Sequence, residues 1–273
     1  MREQVRSRIA DGLERTGLLR PVDCVRASWL VLRAGEPVAL EAEGAPLPPP
    51  RLRLLVDGRS PDVGAHLRLG RQMWQSIHDA CAESGNPTEE MRAVLDFGCG
   101  CGRVLRHWPA AGPEVHGCDY NPGLVGWCAE NLAPARVTRN GLTPPTPYVS
   151  ESFDLIYALS VFSHLGPPLQ RQWLAEFRRL LRPGGLLVLS VIGDSLRHRL
   201  GPAERAHFDR GEMVVQRPRL AGRNLCTVYH PRAHVTGGLL ADFAEVRRFD
   251  LGSAAQAVLQ DAYIARRPLS AAA

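Results

Sequence analysis

The stretch VLDFGCGCGRV at 94–104 constrains this chain most. An apolar run ends in an aspartate, and glycines then occupy positions 98, 100 and 102. Glycine adopts positive φ and lets other groups approach the backbone closely, but it loses more conformational freedom on folding than any other residue. Three of them at alternate positions cost too much for a simple turn, so the run predicts a buried strand that delivers its turn to a ligand. In an open α/β sheet that place is the crevice beyond the carboxyl ends of the strands.

The chain after residue 92 fits such a sheet. RAVLDFG, EVHGCDY, ARVTRNG, FDLIYALSV and LLVLSVI read as five strands, and GRVLRHW, NPGLVGWCAENL and LQRQWLAEFRRLL as helices between them. Asn121 is placed as an N-cap with Pro122 at the first helical position. Leu169, Trp173, Phe177 and Leu180/Leu181 share one face of the last helix. RPGG turns the chain before the fifth strand. FAEVRRFDL and QDAYIARRP predict an antiparallel closing pair. GEMVVQRP and RNLCTVYH predict a small hairpin in an insertion over 194–230, and HPRAHVTGGLLADF a helical stretch. Strands alternating with helices imply a parallel sheet with right-handed crossovers.

The first 90 residues differ in style. Val5, Ile9 and Leu13 predict a short amphipathic helix over 1–17, VRASWLVLR (25–33) a strand, and the alternating RLRLLVDG (51–58) another. EGAPLPPP (43–50) predicts a stiff extended linker. HLRLGRQMWQSIHDACAESG (66–85) predicts a helix ending at Gly85. The expected division is a cap over 1–90 and a core over 91–273.

Composition excludes some function classes. All 33 basic residues are arginine, which removes lysine Schiff-base and Walker-type chemistry. The net charge of +5 is scattered and interrupted by acidic residues, as in EFRRLLRP, so no nucleic-acid partner is expected. The seven cysteines (Cys24, Cys81, Cys99, Cys101, Cys118, Cys128 and Cys226) include no CxxC pair. Neither a disulfide framework nor a metal site is expected, and a reducing cytoplasm suits the chain. The N-terminus has no apolar secretory region, and no apolar run reaches the roughly 18 residues of a membrane span.

The glycine turn narrows the ligand. A P-loop needs Lys-Ser/Thr after its last glycine, whereas Arg103-Val104 follow here. A dinucleotide fingerprint needs glycine at position 103. Asp119 ends the second strand, 17 residues past Gly102, where a carboxylate suits the two hydroxyls of a ribose. A free ribose diol without a pyrophosphate grip points to a nucleoside.

VLDFGCGCGRV, HGCDYNP, RNGL (139–142), FDLIYALSVFSHL and LRPGGLLVLSV together resemble, in order and spacing, five motifs of the class I S-adenosylmethionine-dependent methyltransferases. The resemblance covers 92–193 well and 230–268 more loosely. It implies a Rossmann-like α/β fold: a seven-stranded, mostly parallel sheet with an antiparallel closing strand and helices on both faces. The N-terminal cap over 1–90 and the insertion over 194–230 with its small hairpin are not explained by the family pattern. It implies S-adenosylmethionine as cofactor and S-adenosylhomocysteine as product. By resemblance Asp96, Gly98, Cys99 and Gly100 line the methionine moiety, and Arg103 meets its carboxylate. Asp119 takes the ribose hydroxyls, Tyr120 packs on the adenine, and Asn140, Gly141 and Leu142 flank its edge. Ser160 and Val161 lie near the sulfonium.

His164, just past Val161, is the candidate catalytic base, since an imidazole titrates near neutral pH. Tyr229, His230 and Arg71 are candidates for the acceptor side, and Tyr157 reads as core. The expected activity is methyl transfer to oxygen, or next nitrogen, of a small molecule in specialised metabolism, by a monomer or homodimer with no membrane partner. A lyase or cyclase using the same cofactor, or a cofactor-binding protein without turnover, are the alternatives; product analysis separates them.

Overall fold

The structure, a computed structural model, describes residues 29, 41–42, 44–57, 62–220, 226–252 and 260–269. The helix expected over 1–17, and the strand expected over 25–33 apart from Trp29, lie outside the described residues. Seven strands form the main sheet: β1 (Ala93–Phe97), β2 (Glu114–Asp119), β3 (Arg136–Arg139), β4 (Phe153–Ala158), β5 (Leu181–Val191), β6 (Ala244–Phe249) and β7 (Asp261–Arg266). Their order is β6-β7-β5-β4-β1-β2-β3. All neighbours from β5 to β3 pair in parallel, and β7 runs antiparallel to both β5 and β6. The expected fold class is therefore the observed one, with the antiparallel strand inserted between β5 and β6.

Strand order reverses between β1 and β4. The loops leaving those two strands diverge there and open a crevice. Every residue of β1 is buried, as a central parallel strand between two helical layers must be. Leu95, Phe97, Ile156, Leu187 and Leu189 face one layer with Trp173 and Phe177, and Val94, Leu155, Leu186 and Val188 face the other with Met73, Ile77 and Leu105. Burial of each large side chain contributes about 1.5–3 kcal/mol.

The main helices are α1 (Pro50–Asp57), α2 (Val63–Glu83), α3 (Pro122–Asn131), α4 (Pro167–Leu180) and α5 (Pro202–Asp209). In α2 the Asp62 carboxylate caps the Ala65 N–H at 2.6 Å, and Gly85 at φ 75 follows the last turn. Asn121 caps α3 through the N–H groups of Gly123 and Leu124, with Pro122 opening the helix. The hairpin expected in the insertion pairs Val214–Gln216 with Thr227–Tyr229.

Three local expectations are corrected. Residues 51–57 of RLRLLVDG form α1 and not a strand: Pro50 presets the first helical φ, and Leu52 and Val56, four residues apart, pack together on Cys101, Leu124 and Trp127. EGAPLPPP is not a free linker: Ala45–Pro46 pairs with Glu41–Ala42, Leu47 is buried, and Pro50 is already helical. GRVLRHW forms turns and one 3₁₀ turn, Leu105–His107, because Pro109 disfavours the helical region for Trp108 before it. The RPGG segment turns within β5 itself: pairing slips from Phe153↔Leu181 to Leu155↔Leu186, with Gly184 at φ 80.

Candidate active site

The glycine turn leaves β1 at the switch point. Gly98, Gly100 and Gly102 have φ of 74, 58 and 75, so all three need the freedom that glycine provides. The space beside them is held by the protein. A Cβ on Gly98 would strike Val161, one on Gly102 would strike Leu132, and one on Gly100 would lie 2.7 Å from Val56 of α1. The glycines thus admit side chains from α1, α3 and the β4 turn as well as opening the crevice. Gly70 plays the same part on α2, where a Cβ would collide with the Arg103 carbonyl oxygen.

Two buried carboxylates flank this turn. Asp119 accepts the Gly100 N–H at 3.1 Å and the Asn121 N–H at 2.8 Å. Burial raises its pKa, and the N–H groups of Asn121, Gly100 and Tyr120 oppose that rise. Asp96 is pushed up to about 8, first by burial; the Tyr157 hydroxyl lowers it, the nearby Asp119 charge raises it, and Arg103 lowers it. Asp96 and Tyr157 are register partners on β1 and β4. The Tyr157 hydroxyl also accepts from Trp108 Nε1 at 2.9 Å.

Asn140 follows β3 and donates its backbone N–H to the Asp119 carbonyl oxygen at 3.2 Å. Its Nδ2 reaches the Gly141 carbonyl oxygen at 2.7 Å, while its buried Oδ1 has no partner among the described residues. Tyr120 and Leu142 are 45% and 46% exposed, unusual for large apolar side chains and consistent with a wall open to a planar ligand. Cys99 turns inward: its thiol is raised by the Cys128 thiol and by burial.

Across the crevice, Ser160 stands at φ 60 after β4, and Val161 lies against Gly98. His164 Nδ1 is 2.7 Å from the Cys226 carbonyl oxygen, so Nδ1 carries the proton and Nε2 keeps the lone pair. Burial lowers the His164 pKa, which favours that neutral form. His230 is fully buried, 2.8 Å from Gln170 Nε2 on α4, and burial then the neighbouring His234 lower its pKa to about 3. Tyr229 packs on Leu196, Leu200, Phe208 and Val214. The structure thus places these two acceptor-side candidates inside, holding the insertion to the core. Arg71 lines a cleft of ≈ 320 Å³ with Trp74, Gln75, Arg106 and His107, to which no glycine-turn residue contributes.

Residues 95–187 match the family model described as a methyltransferase domain. This stretch is a methyltransferase domain. Over 109 residues the chain is 33% identical to a ubiquinone biosynthesis O-methyltransferase of Cereibacter sphaeroides, covering 39% of this chain and 43% of that protein. It is 30% identical over 102 residues to a malonyl-[acyl-carrier protein] O-methyltransferase of Hahella chejuensis, covering 36% of each. The chain therefore spans less than half the length of these curated relatives. In fold it resembles the Burkholderia thailandensis 1,6-didemethyltoxoflavin-N1-methyltransferase, whose structure holds 1,6-didemethyltoxoflavin and S-adenosylhomocysteine. The TM-score is 0.53 at 21% identity, over 84% of this chain and 94% of that one. A Methanosarcina mazei S-adenosylmethionine-dependent methyltransferase gives 0.52 at 21% identity, over 67% and 94%.

Contacts around the glycine turn link Gly98 to Val161 next to Ser160, Gly100 to Asp119, Asp119 to Asn140, and Asp96 to Asp119 and Arg103. Tyr157, the partner of Asp96, and Trp108, which donates to Tyr157, carry one sequence signal, a tyrosine inside a central strand. Ser190 and Gln260, which bond to Ser160, had no local signal. Among the described residues, no helix is long and apolar enough to cross a membrane.

Proposed function

We propose that the chain binds S-adenosylmethionine in this crevice and transfers its methyl group to oxygen or nitrogen of a small molecule. The observation that carries the reading is the pair of buried carboxylates, Asp96 and Asp119, on either side of the positive-φ glycine turn. The residues present fit the cofactor. Asp119 engages backbone N–H groups, yet a carboxylate has about four acceptor sites, which leaves capacity for a ribose diol. The orphaned Asn140 Oδ1 supplies an acceptor for an amino group of adenine. Asp96, held largely neutral by burial, suits an incoming ammonium that would restore its charge.

When bound, S-adenosylmethionine supplies a methyl group already activated on sulfur. The chain's task is then alignment, which contributes roughly 7–11 kcal/mol when reacting atoms are held in attack geometry. Val161 and Ser160 shape the crevice wall opposite Gly98. His164 Nε2 would take the proton of a hydroxyl or amine acceptor, with Nδ1–H kept on the Cys226 carbonyl oxygen. The names of the two curated relatives favour oxygen as the acceptor atom.

The test is turnover with S-adenosylmethionine and panels of phenols, carboxylic acids and amines, read as S-adenosylhomocysteine release and methylated product by mass spectrometry. Matched release and methylation are expected. Cofactor binding without methylation on every panel would overturn the transfer reading.

A further inference from the structure

Ser160 occupies positive φ, a region unfavourable for a residue carrying a Cβ, which persists where the surroundings enforce it. Here a closed ring of hydrogen bonds enforces it. The Ser160 N–H donates to Ser190 Oγ at 2.8 Å. The Ser190 hydroxyl donates to Gln260 Oε1 at 2.6 Å, and the Ser160 hydroxyl donates to the same oxygen at 3.0 Å. An amide oxygen has two lone pairs, and both are used. Ser163 adds a hydroxyl bond to the Ser160 carbonyl oxygen at 3.3 Å. Ser190 is fully buried on β5, and Gln260 stands directly before β7, 100 residues from Ser160. The next residue, Val161, fills the space beside Gly98, and Phe162–His164 continues from it.

We infer that Gln260 is a positioning residue: it locks the Ser160 turn and, through Val161, sets the crevice wall facing Gly98. It acts by holding a conformation, through its bonds to Ser160 and Ser190. The functional half of this inference rests on the proposed cofactor site; the conformational half does not.

The test is Gln260→Leu, which keeps volume and removes the acceptor. Hydrogen exchange of the Ser160 amide should quicken about tenfold, and S-adenosylmethionine should bind about tenfold more weakly, as loss of a buried hydrogen bond predicts. Adding Ser160→Gly relieves the positive-φ penalty and should restore most of the affinity. Unchanged exchange in Gln260→Leu overturns the lock. Weakened binding that Ser160→Gly does not rescue overturns the positioning role, because Gln260 would then act on the ligand itself. If the wild type binds no S-adenosylmethionine, the cofactor reading fails while exchange still decides the lock. Ser190→Ala breaks the same ring from β5 and should reproduce the faster exchange if Gln260→Leu does not fold; normal exchange there overturns the proposal.

Discussion

The two sides of the crevice are built differently. The side below β1 and β2 is made mostly from short-range parts: one glycine turn, and Asp119 bonded to backbone N–H groups 19 and 2 residues away. The side beyond β4 is made from distant parts: His164 meets Cys226, Gln170 meets His230 and Ser160 meets Gln260, at separations of 62, 60 and 100 residues. The first side can be specified by a local motif. The second exists only when β5, the insertion and β7 have assembled around α4.

Breaking the first side should cost stability directly. Gly70→Ala forces a Cβ into the Arg103 carbonyl oxygen at the foot of the glycine turn, and the backbone cannot yield as a side chain would. A loss of about 3 kcal/mol is expected, read as a lower denaturation midpoint. Breaking the second side should spare the fold and cost rate. His164→Ala is expected to lower methyl-transfer turnover about a hundredfold with S-adenosylmethionine affinity unchanged. Equal losses in affinity and turnover would move His164 to the cofactor side.

Two smaller effects sharpen the contrast. Tyr157→Phe removes the hydroxyl between Trp108 and Asp96, and should cost about 1 kcal/mol while raising the Asp96 pKa further. Asp96 itself gives a pH signature. Its carboxyl sits at about 8 in the folded chain against an ordinary 3.8. The unfolded chain releases this proton first, so the neutral group favours the folded state below the ordinary value, and that advantage is lost as pH rises to about 8. Denaturation midpoints should therefore fall with rising pH across this window, less steeply in Asp96→Asn. Cofactor binding near pH 7 should release a proton in the wild type and not in Asp96→Asn, measured by calorimetry in buffers of different ionisation enthalpy.

Legibility in the sequence follows the same division. Strand-helix alternation, the Asn121-Pro122 helix start, the apolar face of α4 and the closing strands could be read because periodicity and capping are local. So could the placement of Asp96 and Asp119 beside the glycines. α1 was hidden because Leu52 and Leu54 alternate like a strand, and only packing on Cys101 and Leu124 selects the helix. His230 reads as a site residue until Gln170, 60 residues away, is seen to bury it. Tyr157 reads as core, and is core, yet its hydroxyl reaches the one carboxylate beside it on β1.

The central claim is that this crevice holds S-adenosylmethionine through Asp119. Calorimetric titration of S-adenosylmethionine and S-adenosylhomocysteine into wild type and Asp119→Ala tests it most directly. Saturable binding to the wild type, weakened at least about a hundredfold in a folded Asp119→Ala, is the predicted result. A folded wild type that binds neither compound, or an Asp119→Ala variant that binds both as tightly, would contradict it.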